Sequence, residues 1–167
     1  MSTRPLAFVA ALSALCALPH AQGAELSGDC KPVAAAMEKS VQADHATTTT
    51  RGADTMQGIT VGGAIYVQAR GAWHKSPMTV QDNLAMSREN LKDAKEYSCK
   101  ALPDSVVDGI PAANYATHTV NGDTVVDSRI AIAKATGLAV SVENRLSGDA
   151  NAVMVTHYRY GNVKAPI

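Results

Sequence analysis

The side chains able to do covalent or metal chemistry are few in this 167-residue chain, and their spacing is poor for it. His45, His74, His118 and His157 form no His-x-x-x-His or comparable cluster, so a metal would need ligands brought together from distant strands. His118 and His157 are the two that a sheet could bring face to face, as a pair titrating near pH ~6, although solvated histidines are the commoner outcome. No Gly-x-Ser-x-Gly elbow presents a serine nucleophile. These residues predict no enzyme, a hydrolase being the least supported reading, and call for neither a metal nor a cofactor.

The cysteines point to structure. Cys16 follows Leu15, where lipoprotein processing wants a small residue, so it is expected to leave with the N-terminal segment. Cys30 and Cys99 then remain as an even pair, read as one disulfide in an oxidising compartment. Closing so long a loop stabilises a fold by about 4 kcal/mol on the chain-entropy model. The two lie far apart and no Cys-x-x-Cys occurs, which favours a structural bond over a redox one. Met37, Met56, Met78, Met86 and Met154 offer flexible surface for an adaptable apolar cavity, with ordinary core filling the plainer role of each. Aromatic residues make up only 4% of the chain, which argues against stacking on sugars or bases.

The first residues say where such a protein would work. Arg4, the apolar run Leu6 to Leu18, and small residues ending near Gly23 or Ala24 form a secretory signal-peptide pattern, which leaves residues 25–167 as one expected domain. The expected location is periplasmic or secreted. No apolar run approaches the ~20 residues of a spanning helix. Lys and Arg balance Asp and Glu at 15 each, so the concentrated positive charge that nucleic acid demands is missing.

The elements that must position these residues are mostly strands. Val33, Ala36, Met37, Ser40 and Val41 recur at helical spacing, predicting an amphipathic helix from about Lys31 to Ala43 with a narrow stripe of small residues. Thr47 to Thr50 predicts a strand polar enough for an edge. Ile59, Val61, Ile65 and Val67 share a parity across Gly62-Gly63, where a bulge or bend is expected. Ala72 to Lys75 carries the only tryptophan, Trp73, before Pro77 ends the run. Thr79 and Asp82 then open a largely polar helix. After turn signals at Leu102-Pro103-Asp104 and Asp108-Gly109-Ile110-Pro111, with at most a short strand between them, Ala112 to Val120 reads as a strand and Asn121-Gly122-Asp123 as a hairpin loop.

The strongest pattern is the hairpin Val125 to Leu146, with Val126, Ile130 and Ile132 on one parity and Asp127 and Arg129 on the other. Leu138, Val140, Val142 and Leu146 resume the alternation after Ala135-Thr136-Gly137, and Val153 to Tyr160 adds a last strand. One face is aliphatic and needs a cover; the other meets water.

This order of elements resembles the periplasmic lipoprotein-carrier superfamily of the LolA type. Gly63-Ala64-Ile65-Tyr66-Val67 followed by Arg70 and Trp73 is similar to the carrier pattern of Gly, an aliphatic, an aromatic and Val before Arg and a later Trp. Ser128-Arg129-Ile130-Ala131-Ile132 leading to Gly137-Leu138 is similar to its strand, turn and strand. Ala131 stands where an aromatic is usual, and Arg70 comes one residue late. The resemblance implies an α+β fold: a curled antiparallel sheet, an unclosed half-barrel, with helices over its concave face. It also implies transport in the cell envelope, with lipids or lipoprotein acyl chains as partners.

The expected ligand site therefore combines Met37 and Val41 of the helix with Ile65, Val67, Ile130, Ile132, Val140 and Val142 of the sheet, and with Trp73 at the rim. A protein of another class, an envelope interaction module with a closed core and a protein partner in place of a small ligand, would lack an opening of roughly 300 Å³ or more.

Overall fold

The computed structural model describes residues 28–148 and 153–167. The signal-peptide pattern, Cys16 and the Asp149-Ala150-Asn151 part of the last turn lie outside the described residues. In chain order the elements are α1 (Cys30–Gln42), β1 (His45–Arg51), β2 (Asp54–Val61), β3 (Ala64–Ala69), β4 (Ala72–Thr79), α2 (Val80–Asp93), β5 (Glu96–Val107), β6 (Ile110–Asn121), β7 (Thr124–Ala133), β8 (Ala139–Leu146) and β9 (Val153–Tyr160). The strands make one antiparallel sheet in the order β4-β3-β2-β1-β9-β8-β7-β6-β5, whose two edges do not meet. It is a curled, unclosed half-barrel with two helices, the α+β architecture that the resemblance implies.

Each helix is held by what its sequence supplies. Cys30, Val33, Ala36 and Ser40 are the buried stripe of α1. Val33 and Ala36 pack on Ile130 and Ile132 of β7 and Ala139 and Val142 of β8. Asp29 makes no side-chain cap; its carboxylate instead accepts from the Ala101 amide at 3.1 Å. The Cys30–Cys99 disulfide fixes the start of α1 to edge strand β5 across a Cα separation of 5.1 Å. Helix α2 opens with the expected capping box, in which the Thr79 amide donates to Asp82 Oδ2 at 2.7 Å and the Asp82 amide to Thr79 Oγ1 at 3.2 Å. It packs against α1 and β4.

Several strand expectations are corrected. The threonine-rich β1 is central, paired with β2 and β9, because its hydroxyls find partners inside the sheet: Thr49 Oγ1 meets Thr156 Oγ1 at 2.9 Å. Gly62-Gly63 is a complete hairpin turn, with both residues at positive φ (56° and 79°). It pairs Ile59 with Tyr66 and Thr60 with Ile65, so Ile59 lies on the opposite face from Ile65 and Val67. Pro77 lies within β4, an edge strand, where a missing N–H is tolerated. The turn expected at Leu102-Pro103-Asp104 is an irregularity inside the long strand β5.

One further shift concerns the hairpin of β7 and β8. Ala131 pairs with Ser141 and Ile132 with Ala139, so Val140 is an extra residue in β8. Val142 stays on the helix-covered face beside Ile130, whereas Val140 joins Ala112, Ala131 and Ala133 in a second cluster against which Val107 packs. The alternation expected through Val140 and Val142 is broken there.

Candidate functional site

Cross-strand pairs share a face, so the registers sort the side chains into two surfaces. The helix-covered surface carries a closed polar knot beside its apolar core. Ser40 Oγ donates to the Ala36 carbonyl at 2.7 Å and accepts from the Ala139 amide at 2.8 Å, which leaves it no role as a nucleophile. His45 is buried at the start of β1 and donates from Nδ1 to the Ala43 carbonyl at 2.7 Å. Burial lowers its pKa, only partly opposed by that bond and by Asp44. The Tyr158 and Tyr160 rings stack with centroids 6.3 Å apart, and both lie within 6 Å of the His45 ring. Desolvation pushes Tyr160 up to about 12, and its hydroxyl donates to the Ala139 carbonyl at 2.7 Å. These groups tie the end of α1 to β8 and β9.

The expected ligand residues do not converge. Ile130, Ile132 and Val142 are core, buried under Val33 and Ala36. Met37 and Val41 line a cleft of about 240 Å³ between α1 and α2, together with Leu84, Leu91 and Tyr97. Ile65 and Val67 are half-buried on β3 and line neither this cleft nor the larger groove described next. Over β7 and β8 the helix-covered face is filled by the core side chains Ile130, Ile132 and Val142. Nor do the methionines gather round a cavity, since Met56, Met78 and Met86 are exposed.

A larger opening lies on the other face. A groove of about 770 Å³ is lined by Ile59, Trp73, Val107, Ile110, Leu138 and Val140, with Thr48, Gln57, Asp108, His157 and Arg159 among the polar groups. Trp73 and Val140 are the two predicted residues that reach it. Its roof is the tip of the β5–β6 hairpin. Asp108 and Gly109 turn with positive φ (50° and 82°), and the tip twists over the ends of β7 and β8 until Asp108 Oδ2 comes within 3.4 Å of His157 Nδ1 on β9. A second tie is the ion pair of Lys134 with Asp104, beside which the Lys134 amide donates to the Pro111 carbonyl at 3.0 Å. The tip leaves Val106 68% exposed.

Two recesses continue from this groove across the same face. One of about 440 Å³ lies beside Leu102, Asn114, Ala131 and Ser141. The next, of about 400 Å³, is charged, with Lys100, His118, Asp127, Arg129, Glu143 and Arg145 on its walls. His118 pairs with Asp127 at 2.7 Å, and its strand is separated from that of His157 by β7 and β8, so the two histidines do not meet. Arg70 sits at positive φ (51°) in the β3–β4 turn, outside both flanking strands. Among the described residues there is no group of three His, Cys, Asp or Glu side chains placed to hold a metal. Within the same residues, no helix is long and apolar enough to cross a membrane.

The sequence did not mark Ile59, Val107, Ile110 or Leu138 as site residues. The available signal was the Asp108-Gly109 turn, which announces a hairpin but not how far its tip twists over the neighbouring strands.

Two solved structures are similar to this chain. The crystal structure of Mycobacterium tuberculosis lipoprotein LppX is similar with a TM-score of 0.45 and 12% identity over 83% of this chain and 94% of that one. MucB, solved in complex with the periplasmic part of MucA, is similar with a TM-score of 0.46 and 15% identity; the match covers 82% of this chain but only 56% of MucB. No protein-family model matches the sequence, and no curated protein matches it closely.

Proposed function

We propose that this chain is a periplasmic or secreted binding protein that holds the apolar part of a small ligand, such as an acyl chain, in the groove on its helix-free face. The observation that carries this reading is the groove itself: about 770 Å³, roofed by the β5–β6 tip and faced with Ile59, Trp73, Val107, Ile110, Leu138 and Val140. That volume is in the range of ~300–1,000 Å³ usual for small-molecule sites. Residues 25–167 would act as a single unit, and the activity would be carriage without chemistry. The helix-side cleft, at about 240 Å³, falls below the size that would favour a ligand there. On that face alone the closed-core interaction module remains the better description, with the exposed Val106 at the hairpin tip as an apolar part of its surface.

Trp73 is the only tryptophan, so its fluorescence reports on the groove without a label. Titrating delipidated protein with palmitate or a monoacylglycerol should shift the emission to the blue and raise the melting temperature. Native mass spectrometry of protein taken from its own compartment should show an added lipid mass that the Trp73→Ala variant retains poorly. Unchanged emission, an unchanged melting temperature and a bare mass would together reject the reading in favour of the interaction module.

A further inference from the structure

The groove is one end of a longer trough whose other end is charged. The middle recess shares Val107 with the groove, and shares Arg129 and Glu143 with the charged recess. All three lie on the face away from the helices, as the registers require. His157 pairs with Ser141, Ser141 with Ala131 and Ala131 with Asn114, while Arg129 faces Glu143 two residues further along.

Charge in that far recess is unbalanced. Asp127 is taken by His118 at 2.7 Å, and Glu143 by Arg145 at 3.6 Å. Lys100 and Arg129 form no ion pair among the described residues. They face the same recess from either side of Ala116, which pairs with both across the sheet. Two strand spacings put their backbones ~10 Å apart, a separation that two long cationic side chains can close around one small anion. From Arg129 on β7 to Gln57 on β2 is four spacings, or ~19 Å, which an extended acyl chain spans.

Resting on the groove reading above, we propose that the trough takes a single-chain amphipathic anion, with its phosphate or carboxylate at Lys100 and Arg129 and its chain running under the β5–β6 tip toward Trp73. The polar rows on this face are then a headgroup site continuous with an apolar one, and both lie opposite the helices.

The test uses two lipids that differ only in the charged group, lysophosphatidic acid and the monoacylglycerol of the same chain, with inorganic phosphate as a third probe. In calorimetric titration at low salt the lysophosphatidic acid should bind at least ~10-fold more tightly than the neutral lipid, an advantage that salt diminishes. In the Lys100→Gln/Arg129→Gln double variant that ratio should fall below ~3-fold, with the affinity for monoacylglycerol and the melting temperature unchanged. Both substituted side chains are exposed, so the fold has no need of them. Equal affinity for the two lipids in the unaltered protein would overturn the headgroup site and leave the groove reading intact. Phosphate binding as tightly as the lysolipid would overturn the chain part of the proposal. Failure of both lipids to bind would take the groove reading down with it.

Discussion

The two faces of one sheet have been put to different uses. On the face beneath the helices, Ile130, Ile132, Ala139 and Val142 meet Val33 and Ala36 and leave little space. On the opposite face the same strands present small or polar side chains, Ala131, Ala133, Ser141 and Arg129, and the space above them is enclosed only by a twisted hairpin tip. An aliphatic surface is filled most readily by its own chain, because close packing adds dispersion contacts that a mobile ligand must displace. A cavity is easier to keep where the chain supplies alanines and hydroxyls, whose own packing demand is small. The aliphatic stripe therefore marked the core, and the groove lay behind it.

That contrast can be broken from either side. Ile130→Ala, which empties a buried position under α1, should cost ~2–5 kcal/mol in denaturant unfolding and leave lipid-induced Trp73 fluorescence intact at low temperature. Reducing the Cys30–Cys99 bond, or making Cys30→Ser with Cys99→Ser, should cost about 4 kcal/mol or less and free the start of α1, with hydrogen exchange rising in residues 30–36. A stability change under 1 kcal/mol would show that the apolar stripe alone docks the helix.

The pH dependence should also belong to the helix face. His45 has its folded pKa lowered by burial, so below the ordinary value of about 6.5 the unfolded chain takes up the proton first. Its contribution is present in full above that pH and is lost as pH falls through and below it. The midpoint of urea unfolding should drop between about pH 7 and pH 5, and His45→Gln should flatten the drop; a profile unmoved by the substitution would assign it elsewhere. The smallest effect is expected on the other face. Asp108→Asn weakens an exposed contact worth at most ~1 kcal/mol, so stability should hardly change, while protease cleavage near residues 106–111 and the rate of ligand release both rise. Unchanged release would mean that the tip is held by Lys134 and its backbone bond alone.

Much of this fold is legible in residue order. The hairpin of β7 and β8, the last strand Val153–Tyr160, the capping box of Thr79 and Asp82 and the cysteine pair follow from local patterns that the structure repeats. What local pattern does not encode is which strands become neighbours. Thr47 to Thr50 looks like an edge because hydroxyls are polar, and it is central because those hydroxyls are answered from β9. The site is less legible than the fold for two reasons. A single extra residue at Val140 sends one aliphatic side chain to the far face, and a period-two reading assigns every later residue by assuming that no such slip occurs. The roof of the groove depends on the twist of a hairpin tip, a quantity accumulated over twelve-residue strands with no one residue to mark it.

The position of β9 bears on how the chain reaches this state. The final strand is the seam, hydrogen-bonded to β1 on one side and β8 on the other, and among the described residues no other strand pairing joins the two halves of the sheet. Until Val153–Tyr160 has been delivered, the first four strands and the next four are separate ribbons with open edges. Pairing residue 45 with residue 160 closes a loop over about two thirds of the polypeptide, so docking of this strand is expected to set the pace of folding. A chain cut short before Val153 would lose the sheet's continuity as well as its end, and would present two sticky edges to its neighbours.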